Sequence, residues 1–402
     1  MKFQVLVNSG GAKIYLQQTA EDLSTQNGLL TLISGIILAK DSKIRKHFPK
    51  SRILKKIYER SGDFSVQKQI QISFQGEIFW QLAIVLQRRL KTQFLSQLFF
   101  WVASGLYANT AKNFMRRQHQ DIPIIYHVRS GFGGASIKMA KNLGYKVVVD
   151  HSIAHPDFFF RLQADNSRSR GLAFSMDRRI RWDLSEADLV IVNSDFVSDT
   201  FNESNFQGIV KVAIPPIEKS FSQILRSISS ARSEISFIGR CEYRKGIDTV
   251  LDIVRNLDPS TRVNIVGNWD SASHHVRSEF QRLPNVTIYP YLDMAGIVEI
   301  LSRTRIFLFP SRAEGAARVV GEAMHAGCVV FTTLEAGVPV PVGAGYLIND
   351  LSITDLHSEI VGILENDLEF NRMSSNARIH ISHLETLYFS NLHGIYEEVL
   401  EL

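Results

Sequence analysis

Two carboxylates eight positions apart, Glu314 and Glu322, stand out in the segment Phe309-Pro-Ser-Arg-Ala-Glu-Gly-Ala-Ala-Arg-Val-Val-Gly-Glu-Ala-Met-His-Ala-Gly327. The segment reads as a buried strand, a tight loop and a helix whose first turn holds the small residues Gly315, Ala316 and Ala317, so its backbone amides are expected to be accessible. Unpaired N–H groups and the helix dipole both favour an anion there, phosphate in particular. At about 1.5 Å per helical residue the two carboxylates are up to roughly 12 Å apart along the axis. That is too far for the paired carboxyls of a glycoside hydrolase, which stand about 5 to 9.5 Å apart. The spacing suits two hydroxyl-rich groups flanking a diphosphate.

A second segment, Ser236-Phe-Ile-Gly-Arg-Cys-Glu-Tyr-Arg-Lys-Gly-Ile-Asp248, ends a strand at Gly239 and places Arg240 and Lys245 around a short loop before a helix. Cations at the carboxyl edge of a parallel sheet neutralise phosphate charge, and ligands of open α/β sheets bind at that edge. In the first half, Arg129 lies in the glycine-rich loop Val-Arg-Ser-Gly-Phe-Gly-Gly134 beside Gly133, where it could meet an acceptor phosphate. The Gly131–Gly134 cluster lacks a Gly-x-Gly-x-x-Gly register, so it is no dinucleotide fingerprint.

A short apolar run followed by an amphipathic helical run, repeated in both halves, is what would position these residues: an α/β protein with parallel sheets of βαβ units. The clearest strands are 3–7, 29–38, 122–128, 145–149 and 189–193, then 234–239, 262–266, 286–289, 305–309 and 329–332. Pro215 and Pro216 follow a short β run and cannot continue it. They mark a boundary between a domain of residues 1–215 and one of residues 216–386, with an amphipathic helix at 387–402 that could pack back on the first domain.

The 402 residues fit two or three domains, and 45% apolar residues with only 11 Pro and 25 Gly exclude extended disorder. Two cysteines without paired spacing, Cys241 and Cys328, give neither a disulfide framework nor a metal site and fit a reducing cytoplasm. No stretch is apolar enough to span a membrane, and the N-terminus reads as a strand, so a soluble or peripheral protein is expected. Residues 1–215 carry 29 Lys/Arg against 17 Asp/Glu, whereas 216–402 carry 16 against 23. The basic half is expected to meet something anionic. Stretch 40–60 has nine Lys/Arg against two acids, and stretch 78–120 has six Lys/Arg and no acid among many aromatics. Each could form an interfacial membrane face, or a core helix pair with basic outer faces.

The pair Gly239-Arg240…Lys245-Gly246 and the Glu-x7-Glu segment closed by Glu-Ala-Met-x-x-Gly resemble the donor half of GT-B retaining glycosyltransferases of family 4 (glycosyltransferase group 1). The resemblance is strong over 234–347 and weaker in the first half, where it rests on Ser9-Gly10-Gly11-Ala12, His151 and Val192-Asn193-Ser194. It implies two Rossmann-like domains facing across a cleft, acceptor side first and nucleotide-sugar side second. Arg240 and Lys245 would hold the diphosphate. Glu314, with Gly315, Ala316 and Ala317, would sit by the donor sugar, and Glu322 would bind the ribose hydroxyls. Gly10 and Gly11 would let the backbone approach the donor phosphates or the acceptor, and His151 would line the reaction centre. Catalysis would be largely electrostatic, without cofactor or metal. There is no metal-binding Asp-x-Asp, phosphate loop or His-Glu-x-x-His. Ala316 and Ala317 stand where Phe-Gly is common, and Val329 replaces a usual Pro, which leaves the donor sugar open. The expected partners are a nucleotide sugar, a glycan or lipid-linked acceptor and an anionic membrane surface, with no nucleic acid. The alternatives are a GT-B sugar-nucleotide epimerase and a non-catalytic partner subunit.

Overall fold

The computed structural model describes residues 2–11, 14–36, 69–87, 93–118, 122–165, 174–217, 219–226, 232–269 and 273–402. The basic stretch 40–60 lies outside them. The first half runs β1 (Gln4–Asn8), α1 (Ile14–Thr25), β2 (Leu29–Ser34), β3 (Ile70–Ile72), α2 (Phe74–Val85), α3 (Gln93–Met115), β4 (Ile124–Arg129), α4 (Ala135–Asn142), β5 (Lys146–His151), α5 (Pro156–Asp165), α6 (Phe174–Ser185), β6 (Leu189–Val192), α7 (Asp195–Glu203) and β7 (Val210–Val212). The second runs α8 (Lys219–Arg226), β8 (Glu234–Ile238), α9 (Ile247–Arg255), β9 (Val263–Val266), α10 (His274–Phe280), β10 (Val286–Tyr289), α11 (Met294–Arg303), β11 (Thr304–Phe309), α12 (Arg318–Ala326), β12 (Val329–Thr332), β13 (Gly345–Leu347), α13 (Ile353–Glu365) and α14 (Asp367–Glu401).

These form two sheets, seven strands in the order β3-β2-β1-β4-β5-β6-β7 and six in the order β10-β9-β8-β11-β12-β13. All pairs are parallel, as at Val7 with His127 and Phe307 with Ser236. Central strands such as β8 (EISFI) and β11 (TRIFLF) are buried at every position, as expected of parallel strands covered on both faces. In both sheets the order reverses once, between β1 and β4 and between β8 and β11. A crevice opens at such a reversal because successive helices leave on opposite faces.

The second sheet has one core spanning both its faces. In the first, Val5 and Val7 face α1 while Leu6 faces the layer of Tyr107 and Met115 from α3. The strands differ from expectation in one long boundary and two additions: the 29–38 run leaves the sheet at Ser34, and β3 and β13 went unforeseen. Both unforeseen strands are three-residue sheet edges with little buried apolar surface, so neither carries a periodic signal.

The expected separate helix at 387–402 is the end of α14, a 35-residue helix that starts at Asp367 under an Asn366 cap. No proline interrupts it, and it is about 50 Å long. Its first half puts Phe370, Met373, Ala377 and Ile381 into the second core. Its second half puts Tyr388, Leu392, Ile395, Tyr396 and Val399 into the first. At roughly 1.5–3 kcal/mol per buried side chain of this size, the helix is a substantial tie between the two sheets.

Candidate active site

The crevice of the second sheet is built by two loops. After β8, Gly239 and Arg240 lead to a 3-10 turn, Tyr243–Lys245, closed by Gly246 at φ 70°. A Cβ on Gly246 would lie 1.9 Å from the Pro310 carbonyl oxygen, so only glycine lets the turn reach the loop after β11. That loop answers with Arg312, which pairs both guanidinium nitrogens with Asp248 at 2.8 and 2.9 Å and lies 3.9 Å over the Tyr243 ring. The Arg312 amide and the Ser311 hydroxyl both donate to the Arg244 carbonyl.

Between the clamped loops lies a compact charge cluster. One Glu314 carboxylate oxygen is 2.7 Å from Lys245 Nζ and 2.8 Å from Arg244 Nη1. Arg244 also donates to Glu242 and to the Ala313 carbonyl. Lys245 Nζ sits 5.1 Å from the centroid of the buried Phe309 ring. Burial works against the Arg244 charge, but Glu314 and Glu242 outweigh it and hold its pKa above the ordinary value. Two carboxylates and two cations thus share a half-buried pocket where charge interactions are stronger than in water.

Of the expected pair of cations, Lys245 reaches this cluster, whereas Arg240 points outward, two-thirds exposed, with Glu242 at 3.5 Å. Arg244, which spacing did not single out, takes the inner position. It is adjacent to Lys245 in sequence, and only the tight turn turns both inward. Glu322 is nearly buried on α12, with Arg318 one turn earlier at 3.8 Å. The amides of the small-residue loop are not all accessible as expected: Glu314 N–H donates to the Glu335 carbonyl and Ala317 N–H to that of Ala336. The 3-10 turn Leu334–Ala336, distant in sequence, packs against the loop and takes them, leaving Gly315 and Ala316 between.

The first sheet meets this loop directly. A Cβ on Gly315 would lie 2.0 Å from the Ser152 carbonyl oxygen, and the Ser194 hydroxyl donates to the Gly315 carbonyl at 2.5 Å. Ser152 follows β5 and Ser194 caps α7, so the carboxyl edges of the two sheets face each other. His151 ends β5 completely buried. Its Nδ1 pairs with the Ser130 hydroxyl at 2.9 Å, its Nε2 faces the Ala154 carbonyl at 3.3 Å, and its ring stands edge-on to Phe201. It therefore holds the loop that carries Ser152.

At the β1/β4 reversal, Gly10 (φ 48°) lies under the Phe132 ring and Gly11 (φ 69°) beside Trp80. Arg129 donates to the Gly10 carbonyl at 3.2 Å and lies 5.1 Å from the Phe132 centroid. Burial pulls its pKa below the ordinary value, against Tyr15, Asp150 and Tyr107. Gly133 donates its N–H to Asp183, as do Gly131 and Gly134, at 2.7 to 2.9 Å. Among the described residues no group of three His, Cys, Asp or Glu is placed to hold a metal ion, and no helix is long and apolar enough to cross a membrane.

Residues 226–380 match the family model described as glycosyl transferases group 1. An uncharacterized 41.2 kDa protein in the cps region of Klebsiella pneumoniae is 27% identical over 119 residues, 29% of this chain and 32% of that protein, so the match spans about a third of that relative. The whole chain superposes on the whole of sucrose-phosphate synthase from Thermosynechococcus elongatus with a TM-score of 0.66 at 15% identity. It also superposes over the full length of both chains on Anabaena HepE in complex with UDP, with a TM-score of 0.62 at 15% identity.

Proposed function

We propose that the protein is a retaining glycosyltransferase using a nucleotide-diphosphate sugar, because residues 226–380 match the glycosyl transferases of group 1 and the whole chain shares its two-domain fold with sucrose-phosphate synthase. The observation that carries the reading is Glu314 clasped by Lys245 and Arg244 at the strand-order reversal of the second sheet, with the first domain's Ser152 loop against Gly315. A diphosphate entering this crevice meets two cations already partly desolvated and held in place. HepE binds UDP in a fold of this kind.

In the proposed step the bond between the anomeric carbon and the phosphate oxygen breaks and the acceptor oxygen bonds to the same face of that carbon. The acceptor proton leaves with the departing nucleoside diphosphate. Lys245 and Arg244 stabilise the charge that develops on the leaving phosphate, a role that asks for cations fixed before the reaction. Arg240, more exposed, contacts the outer phosphate, and Glu322 holds the ribose. Gly315 and Ala316 turn their amides to the donor, while Arg129, Gly133 and the Gly10-Gly11 loop border the acceptor. These groups supply the positive charge that the reaction needs without a cofactor. The acceptor is a glycan or a lipid-linked or other membrane-proximal molecule, in cell-surface polysaccharide or glycoconjugate synthesis, a setting in accord with the relative from a cps region. We place the reaction in the cytoplasm.

Thermal unfolding against UDP, GDP, ADP and their sugar conjugates tests this, because a ligand that binds the folded state raises its stability by RT ln(1 + [L]/Kd). One nucleotide should raise the midpoint, and Lys245→Ala and Glu322→Ala should abolish the rise. Equal shifts in both variants and the parent would refute the assignment, and release of isomerised donor without acceptor would favour an epimerase.

A further inference from the structure

The helices α2 and α3 carry an apolar surface that the crevice does not use. They pack on each other through Phe79 against Phe99 and Trp80 against Phe100, and α3 sends Ala103, Tyr107, Ala111 and Met115 into the core. Yet Phe74, Ile78, Leu82 and Val85 on α2, spaced four, four and three apart, are 39–60% exposed. On α3, Phe94, Leu95, Leu98 and Trp101 are 43–77% exposed. Isolated exposed apolar residues need no explanation, but stripes at helical spacing on two packed helices do.

The exposed charge on these two helices has one sign. Glu77 is the only acid between positions 74 and 118, and it is buried, accepting hydrogen bonds from Tyr107 and Gln81. The adjoining α6 presents Arg179, whose guanidinium lies 4.9 Å over the Trp101 ring and donates to the Trp101 carbonyl, and next to it the exposed Arg178.

We propose that this helix pair is a docking surface for an anionic lipid bilayer. Large apolar and aromatic side chains bordered by arginines, with no exposed acid on α2 or α3, match an interface where acyl chains lie beneath negatively charged headgroups. The inner side of the same helix pair meets the acceptor side of the crevice, since Trp80 stands beside Gly11 and 5.3 Å from Phe132. Docking through the outer side therefore brings the first domain's crevice to the membrane, where a lipid-linked acceptor would be presented. Only that last consequence rests on the glycosyltransferase reading; the lipid contact does not.

Flotation of the full chain with vesicles tests the surface. The protein should float with vesicles of phosphatidylcholine and phosphatidylglycerol, remain behind with phosphatidylcholine alone, and lose binding as salt is raised. The double variant Phe94→Glu/Leu98→Glu should weaken binding by at least about tenfold. Because both side chains are exposed, the variant should keep the parent's melting temperature and its nucleotide-induced shift. Absence of flotation by the parent, equal flotation by the variant, or equal flotation on uncharged vesicles overturns the proposal. So does a concentration-dependent dimer that the double variant dissociates, which would make a second copy the occupant. Flotation with no nucleotide response would instead sink the donor assignment and leave the docking surface standing.

Discussion

The two strand-order reversals share a topology and are filled in opposite ways. At β8/β11 the crevice is lined by opposed charges: Glu314 between Lys245 and Arg244, with Glu242 behind. At β1/β4 it is lined by packing: Gly10 under Phe132, Gly11 beside Trp80, and Arg129 turned onto a backbone carbonyl. Ion pairs between half-exposed groups can be exchanged for pairs with a ligand at little net cost, because part of each charge's hydration is retained. Aromatic packing over positive-φ glycines cannot be exchanged, since a side chain there would meet the ring. The same scaffold therefore provides one edge suited to swapping a carboxylate for a diphosphate and another suited to keeping a shape.

The sharpest way to break this contrast is to remove a cation from the charged edge. Lys245→Ala should lower the rate of sugar transfer by about 10² to 10³, the usual loss on deleting one fixed donor to developing charge. Arg240→Ala, at an exposed position, should cost no more than about tenfold. Initial rates at saturating donor check both, and comparable losses in the two variants would mean that the inward and outward cations are not functionally distinct.

On the packed edge the corresponding weak point is Asp183. Burial pushes its pKa up to about 6, even though three glycine N–H groups bind it and favour the charged form. The folded state thus binds this proton more tightly than the unfolded chain, whose carboxyl titrates near 3.8. The associated stability is complete below pH 3.8 and is lost as pH rises through 6, by about 3 kcal/mol at 1.36 kcal/mol per unit. Urea midpoints of the parent, referred to those of Asp183→Asn, should fall between pH 4 and 6.5 and then level. A difference that rose with pH would reverse the balance between burial and the glycine amides.

The seam between the edges is tested at Gly315. In Gly315→Ala the new methyl must displace the Ser152 carbonyl, moving the two sheets apart by an amount comparable with the misplacements of about 1 Å that cost roughly 10² in rate. Transfer should fall about that far while donor binding, which needs only the second domain, stays within a few-fold. Isothermal titration with the nucleotide separates the two, and parallel loss of both would show that the seam also shapes the donor site.

How much of this was legible in the sequence follows the same division. Lys245 and Glu314 announce themselves because charges next to glycines in the loops after strands have few structural uses, whereas Glu322, in the middle of α12, was read from its spacing to Glu314. Arg244 was not legible: which of several consecutive polar residues faces inward is decided by the 3-10 turn and by Gly246 approaching Pro310. The carbonyls of Glu335 and Ala336 that occupy the loop amides come from another strand's end, and no local pattern reports them. His151, expected to line the reaction centre, is instead completely buried against Ser130 and Phe201, an outcome set by two other segments.

The smallest effect concerns what holds the edges in register. The Tyr396 hydroxyl on α14 pairs with His127 Nδ1 of β4 at 2.6 Å, and His127 Nε2 stands 3.7 Å from Asp150, which accepts a hydrogen bond from Tyr15. All four side chains are buried, so a chain of polar contacts links the long helix to the strands beneath the packed edge. Tyr396→Phe keeps the ring against Phe3 but leaves the histidine nitrogen without its partner, at about 1 kcal/mol. Stability should drop by that amount in a urea titration with little change in its slope. Because Glu314, Lys245 and Arg244 lie in the other sheet's crevice, nucleotide affinity should be unchanged. A weakened affinity would mean that α14 transmits the state of the packed edge to the charged one, and the two could no longer be treated as separately built.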